Sequence, residues 1–353
     1  MNPQKVVMSQ NLEEALTAAV ATCEKDRIFI LTDETTQQLC LPLVEGFDCL
    51  KGAQHITIGA TDTHKTLDSL SHVWEALGEG GATRHSLLIN IGGGMVTDLG
   101  GFAASTFKRG INYINIPTTL LSMVDASVGG KTGINFRGLK NEIGVFNNAE
   151  TVILDTQFLK TLDTENILSG YAEMLKHGLI DSEAHWAELM NLSLSDLGSL
   201  ETLGNLARLL EKSVAVKQRI VTEDPTEQGI RKALNLGHTV GHAFESFALN
   251  KRPILHGFAV AYGLVCELYL SAIKTGFPTD KMHQTVNFIH EHYGRMNITC
   301  DDYPQLLELM THDKKNVAGV INFTLLGGIG DIRINQHATK DEIYEALDFY
   351  REG

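Results

Sequence analysis

The feature that most constrains the fold is an alternation, within the first 160 residues, between short β-rich apolar blocks and segments of helical length. The blocks run in the order RIFILTD, HITIG, SLLINI, INYINIP and TVILD. Strands buried on both faces read as continuous apolar runs, and parallel strands need crossover connections that are usually helices. The alternation therefore predicts an α/β fold with a parallel sheet covered by helices.

Beyond about residue 160 the chain changes to long segments with helical spacing, such as NILSGYAEMLKHGLI and FAVAYGLVCELYLSAIKTG. We predict a mostly α-helical second half, with a short strand pair near residues 319–334 and a last helix in DEIYEALDFYREG. Single hydrophobic cores stop growing at roughly 250–300 residues, so a chain of 353 residues is expected to form two domains. We place them at 1–160 and 161–353 and expect the chemistry in a cleft between them.

The charge and the cysteine content exclude several classes of partner. A formal net charge of −14 argues against nucleic acid or an anionic membrane as a partner, because both require a basic surface. The five cysteines form no CxxC pair, which disfavours a disulfide framework and a thiolate zinc site. The N-terminus lacks a signal-peptide pattern, and apolar stretches are interrupted by charges before about 20 residues. We therefore expect a cytoplasmic protein that binds no membrane.

A glycine-rich turn follows the apolar block that ends in Ile91. Gly92, Gly93 and Gly94 stand between this strand and a predicted helix, where backbone N–H groups and the helix dipole can hold a pyrophosphate. The spacing differs from GxGxxG, so a tight strand-to-helix turn without a ligand is an equal alternative. Asp98, just inside the helix, fits either a ribose- or nicotinamide-binding carboxylate or an ordinary partner of the helix dipole.

Histidines and one carboxylate form a candidate metal site. His238 and His242 are four residues apart and so share one face of a helix, and His256 follows in RPILHGFAV. Two imidazoles at helical spacing with a distant carboxylate are a usual ligand set of catalytic zinc, and spacing alone favours this pair. The candidate carboxylate is Glu173, with Lys176 three residues later. The alternatives are a structural histidine pair and an ordinary surface ion pair.

Basic residues next to glycines form a candidate anion site. Lys131 lies in VGGKTGIN, Lys140 and Asn141 lie in GLKNEIG, and Arg109 precedes Gly110. An ammonium group beside a glycine backbone is typical of sites that embrace an anion. A phosphorylated and carboxylated small molecule would fit such a site, and solvated loop lysines are the alternative reading.

The chain resembles the dehydroquinate synthase family over nearly its whole length. The resemblance is carried by seven motifs in order, GGGMVTDLGGF, IPTTLLSMVDASVGGKTGIN, KNEIG, AEMLKHGLI, LNLGHTVGHAFE, LHG and DKKN. It implies a Rossmann-like NAD-binding domain at 1–160, an α-helical metal- and substrate-binding domain at 161–353, and a homodimer. The implied metal is divalent, usually Zn²⁺ with Co²⁺ as an option. The implied reaction converts 3-deoxy-D-arabino-heptulosonate 7-phosphate, an anionic sugar phosphate, into 3-dehydroquinate and phosphate in the shikimate pathway of aromatic amino acid biosynthesis.

The resemblance also implies roles for individual residues. The metal ligands become Glu173, His238 and His256, so that His242 hydrogen-bonds in the active site instead of binding the metal. The implied catalytic residues are Lys131, Lys140, Asn141, Lys176, Arg231, Asn235 and His242. The implied substrate contacts are Arg109, Asp125, Lys217 and one of Lys314 and Lys315. The implied NAD contacts are Asp33, Lys65, Gly93, Gly94, Asp98, Thr118, Thr119, Phe158 and Thr161.

Three positions depart from the family pattern, Thr97, Leu139 and Phe258, and they concern loop geometry more than activity. Another sugar phosphate cyclase would keep the NAD and metal sites and change the substrate contacts. A metal-dependent polyol dehydrogenase would share the glycine turn and the histidines but release NADH. A non-catalytic dinucleotide-binding regulator would lose the metal or lysine set, and the retained lysines favour the dehydroquinate reaction.

Overall fold

The computed structural model describes residues 4–194, 200–249, 251–311 and 320–353. The chain divides into two compact units, Met1–Asp163 and Thr164–Gly353. Each unit has its own buried apolar core.

The first unit alternates strands and helices. Its strands are β1 (Lys5–Met8), β2 (Ile28–Asp33), β3 (Gln54–Ile58), β4 (Leu87–Gly92), β5 (Asn112–Pro117), β6 (Lys131–Phe136), β7 (Leu139–Phe146) and β8 (Thr151–Leu154). Its helices are α1 (Leu12–Thr22), α2 (Glu34–Leu39), α3 (Leu67–Glu79) and α4 (Gly94–Thr106). Six strands form one sheet in the order β1-β8-β5-β4-β2-β3, and all its pairs are parallel. The predicted parallel α/β fold is confirmed.

Two parts of this unit were not predicted. β1 has only four residues, none of them fully buried, so it lacks the apolar signal of the other strands. The second is an antiparallel hairpin, β6–β7, which lies outside the main sheet. Its two-residue turn has Arg137 at φ +49° and Gly138 at φ +82°, the left-handed pair that joins twisted antiparallel strands. The glycines and lysines of this segment had indicated loops instead of strands.

Helix α4 lies unusually close to the sheet because glycines face its neighbours. A Cβ atom on Gly100 would lie 2.0 Å from Oδ1 of Asn90 in β4, and one on Gly101 would lie 2.6 Å from Cγ2 of Thr132 in β6. Asn90 is fully buried and donates to Oδ1 of Asn115 in β5 at 2.8 Å. The N-terminus of α4 follows the end of β4 after a single residue, Gly93.

The second unit is mostly helical, as predicted. Its helices are α5 (Thr164–Asp181), α6 (Glu183–Met190), α7 (Leu200–Glu223), α8 (His238–Ala248), α9 (His256–Thr275), α10 (Thr279–Tyr293), α11 (Tyr303–Thr311) and α12 (Lys340–Glu352). The predicted strand pair is the antiparallel hairpin β9 (Phe323–Gly328) and β10 (Asp331–Gln336). A short 3-10 helix, Ile230–Asn235, comes directly before α8.

Helix α9 is the central helix of the second unit and packs against α5, α8, α10, α12 and β9. In the described ranges it is the one helix long and apolar enough to cross a membrane, but 72% of its most apolar window is buried inside the protein. A buried core helix meets the same criteria, so this helix gives only weak evidence for a membrane span.

Candidate functional site

The sequence-predicted nucleotide residues gather at the carboxyl edge of the parallel sheet. Asp33 ends β2, Gly93 follows β4, and Thr118 follows β5. These three strands are neighbours in the sheet, so their carboxyl ends meet at one edge. The backbone N–H of Thr118 donates to the carbonyl of Gly92 at 3.0 Å, which continues the β4–β5 pairing up to the glycine turn. In open parallel sheets ligands bind outside this edge.

The first turn of α4 has the geometry of an anion cradle. Gly93 is the N-cap of α4, and no side chain caps it. A Cβ atom on Gly93 would lie 3.2 Å from Cγ2 of Thr119, and one on Gly94 would lie 3.1 Å from Cβ of Ala126. Side chains at these positions would therefore crowd the turn, whereas glycine leaves the N-terminal N–H groups accessible to a phosphate.

Lys65, Asp98 and Asn141 form a polar cluster that only the tertiary structure shows. Lys65 is 3% exposed, and its Nζ donates to Oδ2 of Asp98 in α4 at 2.6 Å. The same ammonium group donates to Oδ1 of Asn141 in β7. Asn141 has φ +50°, and its backbone N–H donates to Oδ1 of Asn135 at 2.9 Å. The cluster joins two residues assigned to NAD with one assigned to catalysis.

The other predicted residues of the first unit range from exposed positions to the buried core. Arg109 is exposed at φ +70° and lines a surface pocket of about 400 Å³. Lys140 is exposed, and its Nζ lies 3.5 Å from Oδ2 of Asp62. Lys131 starts β6, Asp125 lies in the π-helical turn Ser122–Ala126, Asp33 caps α2, Thr119 bonds to Ser122, Phe158 is fully buried, and Thr161 donates to the Phe158 carbonyl.

In the second unit a buried carboxylate meets residues from three helices. Glu173 in α5 is completely buried. Its Oε1 lies 3.3 Å from Nε2 of His238 in α8 and 3.4 Å from Nε2 of His256 in α9. Its Oε2 contacts the ammonium group of Lys176, which is 1% exposed. The ring centroids of His238 and His242 are 5.3 Å apart, so His242 borders the same cluster.

The spacing of these atoms fits a divalent metal. Two ligand atoms bound to tetrahedral zinc at about 2.0–2.1 Å are about 3.3–3.4 Å apart. The carboxylate oxygen of Glu173 stands at 3.3 and 3.4 Å from the two Nε2 atoms. The rings of His238, His242 and His256 also each offer a nitrogen within 4.8 Å of the others. Carboxylate and imidazole together are the donor set of catalytic zinc sites.

Glycine contacts bring the three helices this close. A Cβ atom on Gly257 in α9 would lie 1.8 Å from the carbonyl oxygen of Ser169 in α5. One on Gly263 in α9 would lie 1.9 Å from the carbonyl oxygen of Gly237, the residue before α8. The backbones of α5 and α8 therefore both touch α9 at positions where only glycine fits. His238 and His256, the first residues of their helices, meet Glu173 as a result.

The outer ring nitrogens of the two histidines have acceptors. Nδ1 of His238 lies 3.1 Å from the carbonyl oxygen of Leu236, and Nδ1 of His256 lies 3.3 Å from Oε2 of Glu245. Glu245 is 6% exposed and belongs to α8. The sequence motifs gave Glu245 no role, although its position three residues after His242 in GHAFE places it on the same side of the helix.

Burial and neighbouring charges shift the pKa values of His238 and His256 in opposite directions. Burial by itself raises the pKa of Glu173, but the Lys176 ammonium and His238 hold that pKa well below its usual value. Burial lowers the pKa of His238 to about 4 in spite of Glu173. Burial also disfavours the charged form of His256, yet Glu245 and Glu173 raise its pKa to about 10. The cluster is therefore built around an ionised carboxylate.

The other predicted residues of the second unit lie before α8 or on α7. Arg231 is 2% exposed, and its Nη1 donates to the carbonyl of Pro225 at 2.6 Å. Nδ2 of Asn235 donates to Oε1 of Glu227 at 2.7 Å. Lys217 in α7 is 5% exposed. Lys314 and Lys315 lie outside the described residues.

Comparisons with known proteins show which family the chain belongs to. Family models for the 3-dehydroquinate synthase N-terminal and C-terminal domains match residues 55–169 and 170–316. A 3-dehydroquinate synthase of Parabacteroides distasonis is 55% identical over 100% of this chain and 99% of its own length. Nearly the whole length of the chain therefore has counterparts in this family.

Solved structures share the fold. The 2-epi-5-epi-valiolone synthase of Streptomyces hygroscopicus, with NAD⁺ and Zn²⁺ bound, superposes with a TM-score of 0.87 at 25% identity, over 99% of this chain and 97% of that one. A 2-deoxy-scyllo-inosose synthase with carbaglucose-6-phosphate, NAD⁺ and Co²⁺ gives a TM-score of 0.83 at 21% identity, over 99% and 96% of the two chains. With both family models matched and a full-length relative at 55% identity, the chain belongs to the 3-dehydroquinate synthase family.

Proposed function

We propose that the chain converts 3-deoxy-D-arabino-heptulosonate 7-phosphate into 3-dehydroquinate and phosphate, with NAD and a divalent metal as cofactors. The observation that carries the proposal is the convergence of the Glu173 carboxylate with two imidazole Nε2 atoms at 3.3 and 3.4 Å. When bound, NAD supplies a hydride acceptor that is restored within each turnover, and the metal supplies a Lewis acid for the hydroxyl group that is oxidised.

The metal ligands in this proposal are Glu173, His238 and His256. The Oε1 distances favour this set over the pair His238 and His242, because they match the spacing of two ligands on one ion. His242 then hydrogen-bonds to the substrate beside the metal in this proposal. Zn²⁺ is the expected ion, and Co²⁺ takes the same tetrahedral donor set.

NAD is assigned to the first domain, 1–160, and the metal to the second, 161–353. The pyrophosphate would bind at Gly93 and Gly94, where the first turn of α4 lacks a side-chain cap. Asp98 would accept hydrogen bonds from the ribose or the nicotinamide amide, with Lys65 holding its carboxylate in place at 2.6 Å. The remaining nucleotide contacts assigned by resemblance are Asp33, Thr118, Thr119, Phe158 and Thr161.

The substrate's phosphate and carboxylate need cations in a chain whose net charge is −14. The family resemblance gives this role to basic and amide side chains. We assign it to Arg109, Lys131, Lys140, Asn141, Lys176, Lys217, Arg231, Asn235 and one of Lys314 and Lys315, with Asp125 accepting hydrogen bonds from hydroxyl groups. These fixed charges orient the substrate and stabilise the negative charge that develops as phosphate leaves. The departing phosphate can itself accept the proton, so no separate carboxylate base is required.

A phosphate-release assay tests the proposal. Purified protein supplied with NAD and Zn²⁺ or Co²⁺ is expected to release phosphate from 3-deoxy-D-arabino-heptulosonate 7-phosphate, with no net change in absorbance at about 340 nm because NAD is recycled. The control is the same protein without NAD. A steady rise in that absorbance with a simple polyol would identify a dehydrogenase instead. Tight NAD binding without phosphate release would identify a non-catalytic dinucleotide-binding protein.

Gly93→Val tests the nucleotide site. Even a Cβ atom at position 93 would lie only 3.2 Å from Cγ2 of Thr119, so the valine side chain would crowd Thr119 and block the approach of a phosphate. We expect the Kd for NAD, measured by calorimetry, to rise by about 10- to 100-fold, since one to two charge-assisted hydrogen bonds are lost. Gly78→Ala in α3 is the control, because a Cβ atom there has nothing within 4 Å. Unchanged NAD affinity in Gly93→Val would contradict the placement of the pyrophosphate.

We infer a homodimer and a cytoplasmic location as well. Apart from Lys140 and Asn141, which are assigned to the substrate, strand β7 presents Leu139, Ile143, Val145 and Phe146, which are 38–57% exposed. An exposed apolar edge strand is a surface that a second copy can cover around a two-fold axis. Light scattering should give twice the 38.7 kDa of one chain.

All five cysteines lie in the described part of the chain as free thiols, which suits a reducing compartment.

A further inference from the structure

We propose that Glu245 is a positioning residue of the metal site, which fixes the orientation and tautomer of His256. The proposal rests on the metal site of the proposed function and adds a carboxylate that acts through the ring of a ligand. Glu245 and His256 belong to different helices, α8 and α9, and are eleven residues apart along the chain. Their contact therefore also ties the helix that begins with one ligand histidine to the helix that begins with the other.

The two nitrogens of the His256 ring face two different carboxylates. Nε2 lies 3.4 Å from Oε1 of Glu173, and Nδ1 lies 3.3 Å from Oε2 of Glu245. A neutral imidazole carries one N–H and one lone pair. An ionised carboxylate only accepts hydrogen bonds, so with a metal ion bound on the Nε2 side, Glu245 holds the remaining ring proton on Nδ1. That tautomer leaves the lone pair of Nε2 directed toward Glu173, where the metal ligands converge.

His238 has the same arrangement with a different acceptor. Its Nε2 faces Oε1 of Glu173 at 3.3 Å, and its Nδ1 faces the carbonyl of Leu236 at 3.1 Å. Both ligand histidines are therefore held through Nδ1 and present Nε2 to the same carboxylate oxygen. The acceptor of His238 is backbone and cannot be removed by substitution, whereas the acceptor of His256 is a side chain.

Burial and charge make the Glu245 contact strong enough to matter. Glu245 is 6% exposed, and in such surroundings a hydrogen bond to a charged acceptor is screened little by water. The carboxylate also stabilises a protonated imidazole, so metal binding at Nε2 displaces a proton from the ring. Carboxylates that hold a ligand histidine in this way typically contribute about 10- to 100-fold to metal affinity.

The test compares zinc binding by the full-length wild type, Glu245→Ala and Glu245→Gln, using competition with a chelator. We expect Glu245→Ala to bind zinc about 10- to 100-fold more weakly than the wild type. Glu245→Gln, whose amide oxygen can still accept from Nδ1–H, should lose less than Glu245→Ala. In the zinc-loaded wild type, the His256 Nδ1–H proton should be visible by ¹⁵N NMR, and in Glu245→Ala it should exchange with water. A merely structural role for Glu245 would leave this signal unchanged.

Two reference variants separate the possible results. Glu188→Gln in α6 alters a carboxylate that pairs with Lys212 and Arg208 at the surface, and it should bind zinc like the wild type. His256→Ala removes a proposed ligand and should lose far more affinity than Glu245→Ala. Zinc affinity of Glu245→Ala within about three-fold of the wild type, with His256→Ala impaired, would overturn the role of Glu245 and leave the metal site standing. A wild type that binds no zinc would instead overturn the metal site itself.

Discussion

Glu173→Gln is expected to abolish tight zinc binding and to lower the free energy of unfolding of the metal-free protein by about 3–5 kcal/mol. The substitution removes the charge that the buried Lys176 ammonium contacts, and an uncompensated buried cation is costly. Without the metal's Lewis acidity the rate of phosphate release should fall by about 10³-fold or more, which corresponds to roughly 4 kcal/mol of transition-state stabilisation. Chelator competition, urea unfolding and the phosphate assay measure these three effects.

A double variant separates stability from metal binding. Glu173→Gln combined with Lys176→Met removes the cation together with its partner, so most of the lost stability should return while zinc binding stays absent. Lys176→Met alone should still bind zinc. Wild-type zinc affinity in Glu173→Gln would show that this carboxylate is no ligand. It would favour a site formed by the three imidazoles of His238, His242 and His256, whose ring nitrogens lie within 4.8 Å of one another.

Gly263→Ala should lower the free energy of unfolding, because it disturbs the packing of α8 on α9. A Cβ atom at this position would lie 1.9 Å from the carbonyl oxygen of Gly237 and 2.6 Å from the backbone nitrogen of Gly241. Both atoms are backbone, so the helices must separate. We expect a loss of about 3 kcal/mol in the free energy of unfolding, at the upper end of what overpacking usually costs. Zinc affinity should fall with it, because His238 follows Gly237 directly.

Gly204→Ala in α7 is the matched control for this substitution. It makes the same chemical change within a helix of the same unit, but a Cβ atom there would have nothing within 4 Å. Alanine is a better helix former than glycine, so this variant should be as stable as the wild type or more stable by up to about 1 kcal/mol. Equal stability of the two variants would contradict the close-packing explanation.

Local patterns explain which parts of the fold were predictable. β4 is buried at every position, and its continuous apolar run marked it as an interior strand. Helix α9 has the length and apolar content of a core helix. β1 and β7 have at most partly buried residues, and the strand signal is weak where no face is fully buried. The β6–β7 hairpin was missed for this reason, although the Arg137–Gly138 turn has the expected chemistry.

In the candidate site, too, some features follow from the sequence and others only from the tertiary structure. Helical spacing alone favours His238 and His242, because spacing reports only which residues share one helix face. The contact of Glu173 with both His238 and His256 depends on how α5, α8 and α9 pack. The family resemblance indicated this ligand set through ordered motifs, but it offered no reason for it. The reason lies in glycines that let the three helix backbones touch.

By itself, the sequence determined most of the strands and helices, the family and the residue types of both candidate sites, but not strand β1 or the β6–β7 hairpin. These features depend on local periodicity and on motifs, which involve residues that are near neighbours along the chain. Only the tertiary structure decided that Lys65 joins Asp98 to Asn141, and that Glu245 holds His256. Such contacts cross between elements, so their geometry is set by backbone packing and burial instead of by spacing along the chain.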